Sequence, residues 1–342
     1  MSFHTSSRVQ GLGLWIGGAL LAIGLSACSG QLNESSSDRS EPGSGVIAGG
    51  TTPLAADLAS APWQVAYHGV RRLDFLSSNP AVSYREKVSA DGLGRYGIHV
   101  TELLTAHHDA PGFIARQAQN QGFNYRYRGF RVLEPFQFEL NYTVQLLNQG
   151  QVVAGVACTR LLVQKRFAIT EAEPSHYLVD MDMDSGLVLG WQELSSDGGL
   201  IARMEFESFA LGLAEIPIPM SSGSMLETEI AIEDLSGPKV PFDVLRPRLL
   251  PSKYRLFRAY QVDDGAQNTW MRQVFTDGQG SLIFMHRKQV LQAGGSVGTS
   301  TLGVYEEDQW TVLMGDVNGH SLLAVGKFGA NELQDFVSSC FQ

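Results

Sequence analysis

The sequence is short of positive charge and has no dense basic segment. Its 342 residues carry 25 lysines and arginines against 35 aspartates and glutamates, which gives a formal net charge of −10. Nucleic-acid binding depends on a basic surface that neutralises phosphates. The composition therefore argues against a nucleic-acid partner, while its ordinary apolar content indicates a folded chain of about two domains.

The chain also lacks an apolar run of comfortable membrane-spanning length. The run from Leu12 to Leu25 is interrupted by glycines and follows a lone Arg8, which is the layout of a secretory signal peptide. It ends in LSAC, and small residues before a cysteine are typical of a bacterial lipobox. We predict a signal peptide over residues 1–27 and a lipid on Cys28. The alternatives are an uncleaved membrane anchor and a chance LSAC.

Lipidation of Cys28 predicts where the chain resides. A diacylglycerol and an N-acyl chain together supply more than one lipid anchor, which is enough for stable membrane attachment. Ser29 follows the cysteine, and no aspartate is present there to act as an inner-membrane retention signal. We therefore expect a cell-envelope location on the periplasmic face of the outer membrane. Residues 28–53 are rich in serine and glycine and predict a flexible tether.

Cysteine is otherwise scarce, since Cys158 and Cys340 are the two that remain. An exported compartment permits a disulfide between them. The sequence does not place their Cα atoms within bonding range, and buried free thiols, which pack as small apolar groups, are the alternative. Both interpretations stay open at this point.

Period-two alternation is abundant, above all between Ala154 and Gly212. Apolar side chains occupy every second position in two segments of this stretch. Turn signals at residues 184–186 and 195–199 lie between the two segments. Such alternation predicts strands with one buried and one wet face. Helical patterns are scarce in this half, so we predict an apolar binding groove on the buried face, with a closed core as the alternative. The candidate groove residues are Tyr177, Val179, Met181, Met183, Met204 and Phe206.

A proline- and serine-rich stretch divides the strand patterns into two groups. We predict a first domain over 54–212, a linker over 213–245 and a second domain over 246–342 that ends in a helix. Residues 136–147 alternate and predict another strand of the first domain. The aromatic and basic stretch 123–131 predicts a contact with lipid head groups or an acidic partner, with an exposed strand as the alternative.

Motifs in both halves resemble those of one family. The first half has YHGVRRLDF, VVAGVACTRLLVQKR and HYLVDMDMDSGLVLGWQELSSDGGLIARMEF, and the second has LLPSKYRL, VFTDGQGSLIFM and LLAVGKFGANELQDFVSS, in the family's order. The chain resembles the RseB/MucB periplasmic regulators of envelope-stress sigma factors. The larger domain of that family is similar to the lipoprotein carriers LolA and LolB. The lipobox differs from typical members, which are soluble periplasmic proteins.

The resemblance implies a fold and a pair of candidate functions. The fold is α+β and β-rich, with a LolA-like curved antiparallel half-barrel sheet, helices over its concave face, and a smaller C-terminal sheet domain with a terminal helix. Its apolar groove would take acyl chains or a periplasmic segment of an anti-sigma factor. One function is negative regulation of an extracytoplasmic stress sigma factor. The other is an outer-membrane lipid or lipoprotein carrier or receptor of the LolA/LolB type.

Three short motifs suggest chemistry but lack the context that it needs. Residues 294–298 match G-x-S-x-G without the strand and helix of a hydrolase elbow. Aspartates at 180, 182 and 184 have calcium-loop spacing but no glutamate at the twelfth position, and strand alternation accounts for them. His107 and His108 are adjacent, so in a strand they point in opposite directions. We therefore predict no enzyme activity, no cofactor and no metal.

The lipid on Cys28 is directly testable. Replacing Cys28 with Ser removes the acceptor sulfur, so the variant should leave the membrane fraction or accumulate as an unprocessed precursor. Cell fractionation and mass spectrometry of the N-terminus measure this, with Ser26→Ala as the control that keeps the small residues of the lipobox. A Cys28→Ser variant that is processed and fractionates like the parent would show that the prediction is wrong.

Overall fold

The computed structural model describes residues 53–78, 80–107, 109–166, 176–214, 226–237, 240, 242–263, 268–289, 301–307 and 310–342. The predicted signal peptide, Cys28 and most of the tether lie outside these residues, as do His108 and the motif at 294–298. Among the described residues, no helix has the length and apolarity needed to cross a membrane.

Antiparallel strands from the first half form one sheet. In the described part of the chain it has eight strands in the order β3-β2-β1-β8-β7-β6-β5-β4. Alternating burial marks one covered face, as the sequence pattern predicts. The strands are β1 Ala66–Phe75, β2 Val82–Asp91, β3 Tyr96–Leu103, β4 Tyr142–Val153, β5 Val156–Lys165, β6 His176–Met181, β7 Val188–Leu194 and β8 Leu200–Leu211.

The first sheet is strongly curled. Strands β4 and β8 have Cα atoms within 8 Å of each other, although β5, β6 and β7 lie between them in the sheet. A flat sheet would keep these two strands about 19 Å apart, at about 4.8 Å per strand. The sheet is therefore open but curved, which confirms the predicted fold class.

Four helices of the first half pack against this sheet and one another. They are α1 Pro53–Gln64, α2 Ala110–Gln119, α3 Gln121–Tyr127 and α4 Pro135–Asn141. Helix α1 contacts β2 and α4, and α2 and α3 contact β3. The Asp109 side chain caps α2 by accepting from the Gly112 amide at 3.0 Å, because the first amides of a helix lack partners inside it.

Helix α4 corrects the strand predicted from residue 136 onwards. The carboxylate of Glu134 accepts from the Phe136 and Gln137 amides, and Pro135 occupies the first turn. A capping side chain and an N-terminal proline both favour helix, so this local signal outweighs the short alternation. The strand β4 begins at Tyr142.

The second half forms another antiparallel sheet. In the described residues it has seven strands in the order β13-β14-β15-β12-β11-β10-β9, and the terminal helix α5, Ala330–Ser338, buries Leu333, Phe336 and Val337 against one face. Asn318 and Gly319 both have positive φ in the β14–β15 turn, as the predicted hairpin requires. The strands are β9 Leu226–Ile230, β10 Arg255–Asp263, β11 Thr269–Thr276, β12 Ser281–Lys288, β13 Thr301–Glu307, β14 Trp310–Val317 and β15 His320–Gly326.

The range 213–245, predicted as a linker, contributes to this second sheet. Strand β9 lies within it and pairs with β10. A 3-10 helix, Ile232–Ser236, follows and buries Leu235 in a small cluster with Met271. The described part of this range therefore includes an edge strand and core side chains.

The turn between β11 and β12 docks into the first half. The Leu133 amide donates to the Gly278 carbonyl at 2.7 Å. The buried carboxylate of Asp277 accepts from the Tyr142 hydroxyl at 2.8 Å and lies 3.3 Å from the Lys165 ammonium. A Cβ at position 278, where φ is +114°, would lie 2.2 Å from the amide nitrogen of Phe138, so the close approach requires glycine.

Helix α3 fills the space between the two sheets. On one side Tyr125 stacks on Tyr96 of the first sheet, with ring centroids 3.9 Å apart. On the other side Phe123 packs edge-on against Trp310 of the second sheet, at 4.8 Å. The stretch 123–131 is therefore a buried helix and its exit loop. The exposed strand named as the alternative is not present, because both sheets pack against the helix.

A buried ion pair between the halves gives a stability prediction. The Lys327 ammonium contacts the Glu193 carboxylate, whose side chain is 0% exposed. Removing Lys327 leaves a buried charge without its partner, so Lys327→Met should lower the free energy of unfolding by about 3 kcal/mol. Urea denaturation measures this loss. The double variant Glu193→Gln with Lys327→Met should recover part of it, because it removes both charges.

The exposed pair between Arg85 and Glu102 supplies the control. Exposed ion pairs contribute little to stability, so Arg85→Met should unfold at nearly the parent urea concentration. Equal midpoints for Lys327→Met and the parent would contradict the proposed role of the Glu193 pair.

Candidate functional site

The candidate site is a groove on the covered face of the first sheet, between α1 and strands β7 and β8. We call it the first-domain groove. Its cavity volume is ≈ 40 Å³, far below the roughly 300–1,000 Å³ typical of small-molecule pockets. The apolar wall residues include Leu58, Pro62, Leu187, Leu189, Met204 and Phe206.

Five of the six predicted groove residues fall into three groups. Met204 and Phe206 line the first-domain groove. Val179 and Met181 are buried in the same hydrophobic core. Tyr177 lies at the contact between the halves, where its hydroxyl donates to the Gln279 side-chain oxygen at 2.9 Å.

Met183 does not share the face of Tyr177, Val179 and Met181. Strand β6 ends at Met181, and the Asp182 carboxylate accepts from the Ser185 hydroxyl at 2.6 Å to form the following turn. Strand alternation therefore stops before Met183, which is 60% exposed. Its assignment to the groove is corrected.

A charged network beside the groove, formed by Arg71, Arg128 and Glu86, was missed by the sequence analysis. Glu86 is fully buried and accepts from Arg71 Nε at 2.7 Å and from Arg128 Nη2 at 2.6 and 2.7 Å. Arg71 and Glu86 are direct partners in the β1–β2 register. A signal was present, since both occupy inward positions of alternating strands, but recognising it requires the strand pairing.

Burial and charge oppose each other at Glu86. Burial alone raises the pKa of the Glu86 carboxyl. The positive charges and hydrogen bonds of Arg128 and Arg71 outweigh burial and lower that pKa below its ordinary value of 4.5. Glu86 is therefore a carboxylate at neutral pH, and the network carries two positive charges against one negative charge.

Arg131 adds a third positive charge to the groove lining. Its guanidinium carbon lies 4.5 Å from the ring centroid of Tyr125 and 5.6 Å from that of Trp63. Stacking on aromatic faces holds a guanidinium in place. Its Nη1 is buried and has no hydrogen-bond partner among the described residues.

The exit loop of α3 positions these arginines. Arg128 Nη1 also donates to the Tyr84 hydroxyl at 2.6 Å and to the Gln117 side-chain oxygen at 3.1 Å. Gly129 follows with φ of +80°, and a Cβ there would lie 2.5 Å from the Trp191 ring. Glycine is therefore required for the loop to pass Trp191 and present Arg131 to the groove.

A second, smaller cavity lies between the two halves. Its volume is ≈ 20 Å³, and its lining includes Tyr127, Tyr177, Trp310 and Lys327. A cavity of this size has room for about one water molecule. Lys327 in its wall is paired with Glu193, so this cavity does not offer a free positive charge from that residue.

The two cysteines are free thiols, which corrects the disulfide interpretation. Cys158 is buried in β5 of the first sheet, whereas Cys340 lies after α5 in the second half. Burial raises the pKa of Cys158 to about 11, with a further contribution from Asp180 and Asp182. Burial also raises the pKa of Cys340 to about 12. Both groups are therefore protonated and unreactive at neutral pH.

Asp180 and Asp182 have structural partners. Arg160 makes a two-pronged contact with Asp180, with both distances 2.8 Å, and Asp182 closes the turn at Ser185. No group of three or more metal-ligating side chains occurs in the described ranges.

Comparisons with known proteins give structural neighbours alone. The sequence matches no family model and no curated protein. MucB in complex with MucA(peri) is 17% identical with a TM-score of 0.45, covering 84% of this chain and 96% of that chain. MucB is 15% identical with a TM-score of 0.44, covering 84% and 95%. The MucA/MucB complex of Pseudomonas aeruginosa is 16% identical with a TM-score of 0.44, covering 84% and 95%. MucB belongs to the family that the sequence motifs resemble.

The Glu86 network gives a pH prediction. At pH 7, Glu86→Gln should lower the free energy of unfolding by about 3 kcal/mol, because Arg71 and Arg128 lose their buried counter-charge. A depressed carboxyl pKa stabilises the fold above the ordinary value of 4.5, and this contribution is lost as the pH falls through the folded-state pKa. The difference between parent and variant should therefore shrink below pH 4.5.

Urea denaturation at pH 7, 5 and 3.5 measures this difference. Glu102→Gln is the matched control, since Glu102 is an exposed partner of Arg85, and it should leave stability nearly unchanged. A Glu86→Gln variant as stable as the parent at pH 7 would contradict the role assigned to the network.

Proposed function

We propose that the chain is a non-enzymatic envelope lipoprotein that regulates an extracytoplasmic stress sigma factor negatively by binding a periplasmic segment of an anti-sigma factor. The motifs of both halves, which resemble the RseB/MucB family, support this assignment. MucB itself has been solved in complex with MucA(peri). For the present chain, the lipid on Cys28 would hold this activity at the periplasmic face of the outer membrane.

The size of the first-domain groove is the observation that favours a protein segment over a lipid as the partner. A volume of ≈ 40 Å³ has room for about three water molecules, at about 10–15 Å³ each. An acyl chain of a dozen carbons needs several times that space. In this state the groove accepts the tip of a side chain, which favours a protein segment over a lipid.

The chemistry of the groove supports binding rather than catalysis. Its polar lining comes from Arg71, Arg128 and Arg131, together with the hydroxyl of Tyr67. An arginine stays protonated in proteins and cannot serve as a general base. The Glu86 carboxylate beside them is occupied by two guanidinium groups, so it is not poised to accept a proton.

A lipid or lipoprotein carrier of the LolA/LolB type is the second candidate, and α1 is the observation that favours it. This helix covers the groove with Leu58 and Pro62, and its other buried side chains include Ala55 and Ala61. Alanines bury little area, and Pro62 removes one helical hydrogen bond. Displacing α1 would uncover the apolar faces of β7 and β8 and enlarge the groove.

Binding measurements on the full chain with Cys28→Ser distinguish the two candidates. The probes are synthetic periplasmic segments of the anti-sigma factors encoded by the same genome, and a fluorescent dodecanoate. We expect one segment to bind at micromolar concentration. Val188 is half-buried in the groove wall, so Val188→Phe should fill the space and weaken binding by about tenfold, a change of about 1.4 kcal/mol.

Val152→Phe is the matched control, because Val152 is 60% exposed on β4 and outside the groove. It should bind like the parent. If dodecanoate binds saturably with one-to-one stoichiometry and no anti-sigma segment binds, the carrier function is supported and the regulatory function is contradicted. Absence of both kinds of binding would overturn both candidates.

A further inference from the structure

The arginine-lined part of the first-domain groove holds more positive than negative charge. Arg71, Arg128 and Arg131 line it, and Glu86 is the acid that contacts the first two. Among the described residues, these three positive charges against one negative charge leave an excess of two at a partly buried site. Buried charges are normally paired, so the positive charges favour an anionic group in the groove.

Arg131 is the residue with unused donor capacity. Its Nη1 is buried without a hydrogen-bond partner among the described residues, and its guanidinium is held over Tyr125 and Trp63. Arg128, by contrast, already donates to Glu86, Tyr84 and other groups. Because Arg131 also lines the groove, a ligand that enters the groove would contact this residue, and the charges of Arg71 and Arg128 would add electrostatic attraction.

We propose that the part of the first-domain groove lined by Arg71, Arg128 and Arg131 is a carboxylate subsite that takes the side chain of an aspartate or glutamate from a partner protein. The inference rests on the proposed function, in which the groove binds a protein segment. It adds that the segment is anchored by an acidic residue flanked by apolar ones. The acid meets Arg131, and the flanking residues contact the apolar walls at Met204 and Phe206.

Size and geometry favour a carboxylate. The ≈ 40 Å³ cavity matches a group of a few atoms. A guanidinium presents N–H donors in a planar fork that suits the two oxygens of a carboxylate. The donors are also fixed in advance, Arg128 by its hydrogen bonds and Arg131 by its two aromatic rings, so little side-chain order has to be gained on binding.

Two blocked tripeptides test the subsite, leucyl-aspartyl-leucine and its asparaginyl counterpart. They differ by one charge and have nearly the same shape. Calorimetric titration of the full chain with Cys28→Ser should show the acidic peptide binding at least about tenfold more tightly, a difference of about 1.4 kcal/mol. Arg131→Gln should abolish this preference, and Arg131→Lys should keep part of it because the charge remains.

Arg255→Gln is the control variant, since Arg255 is an exposed arginine at the start of β10 in the second half. It should retain the full preference, and thermal melting should show that each variant is folded. Equal binding of the two tripeptides by the parent, or an unchanged preference in Arg131→Gln, would overturn the inference.

Two further probes separate other anions from a carboxylate side chain. Arg131-dependent binding of dodecanoate in preference to the acidic tripeptide would assign the subsite to a lipid head group and overturn the inference. Preferential binding of inorganic phosphate would assign the subsite to a phosphate group and would also overturn the inference. If an anti-sigma segment binds and its acid-to-amide variants bind equally well, the inference fails while the proposed function stands.

Discussion

The contacts of Asp277 and Gly278 with the first half set the position of the second sheet relative to the first. Asp277 is fully buried between Tyr142 and Lys165, and Gly278 lies against the backbone of α4. A buried carboxylate that loses its partners costs far more than the intact pair contributes. Separation of the halves would break the contacts of Asp277 with Tyr142 and Lys165 and the backbone contacts of Gly278. Helix α3 is consequently held between both sheets, and the loop that follows it is held as well.

This constraint decides which part of the first-domain groove can move. Strands β7 and β8 belong to the sheet, and the loop bearing Arg128 and Arg131 leaves a helix that is packed on two sides. Helix α1 is different, because Pro62 interrupts its hydrogen bonding, although it packs through Leu58 and Trp63 as well as through alanines. Adaptation to a larger ligand therefore falls on α1, and any movement of Trp63 in this helix also changes the support of Arg131. A regulator with a closed groove and a carrier with an open one would differ in the position of this helix.

Much of the fold can be predicted from the alternation of apolar and polar residues, and most of the wrong predictions have local causes. The strands between Tyr142 and Leu211 and the Asn318-Gly319 hairpin are predicted because pattern and turn chemistry agree. Helix α4 is missed because the Glu134 cap acts against alternation, and Met183 is misplaced because its strand ends two residues earlier. The Arg71–Glu86 pair depends on the register of β1 and β2. Burial of the stretch 123–131 depends on a sheet built from the other half of the chain.

The charge of the groove is opposite to that of the chain around it. The whole sequence carries −10, so its long-range field repels an acidic partner instead of steering it inward. Recognition of an acid by Arg131 must then come from contact at short range, where water is excluded and screening by salt is weak. Salt would lessen the repulsion between the two molecules more than it lessens the buried contact. A net acidic chain with an under-neutralised cationic groove is therefore suited to select for a correctly placed acid, not for negative charge in general.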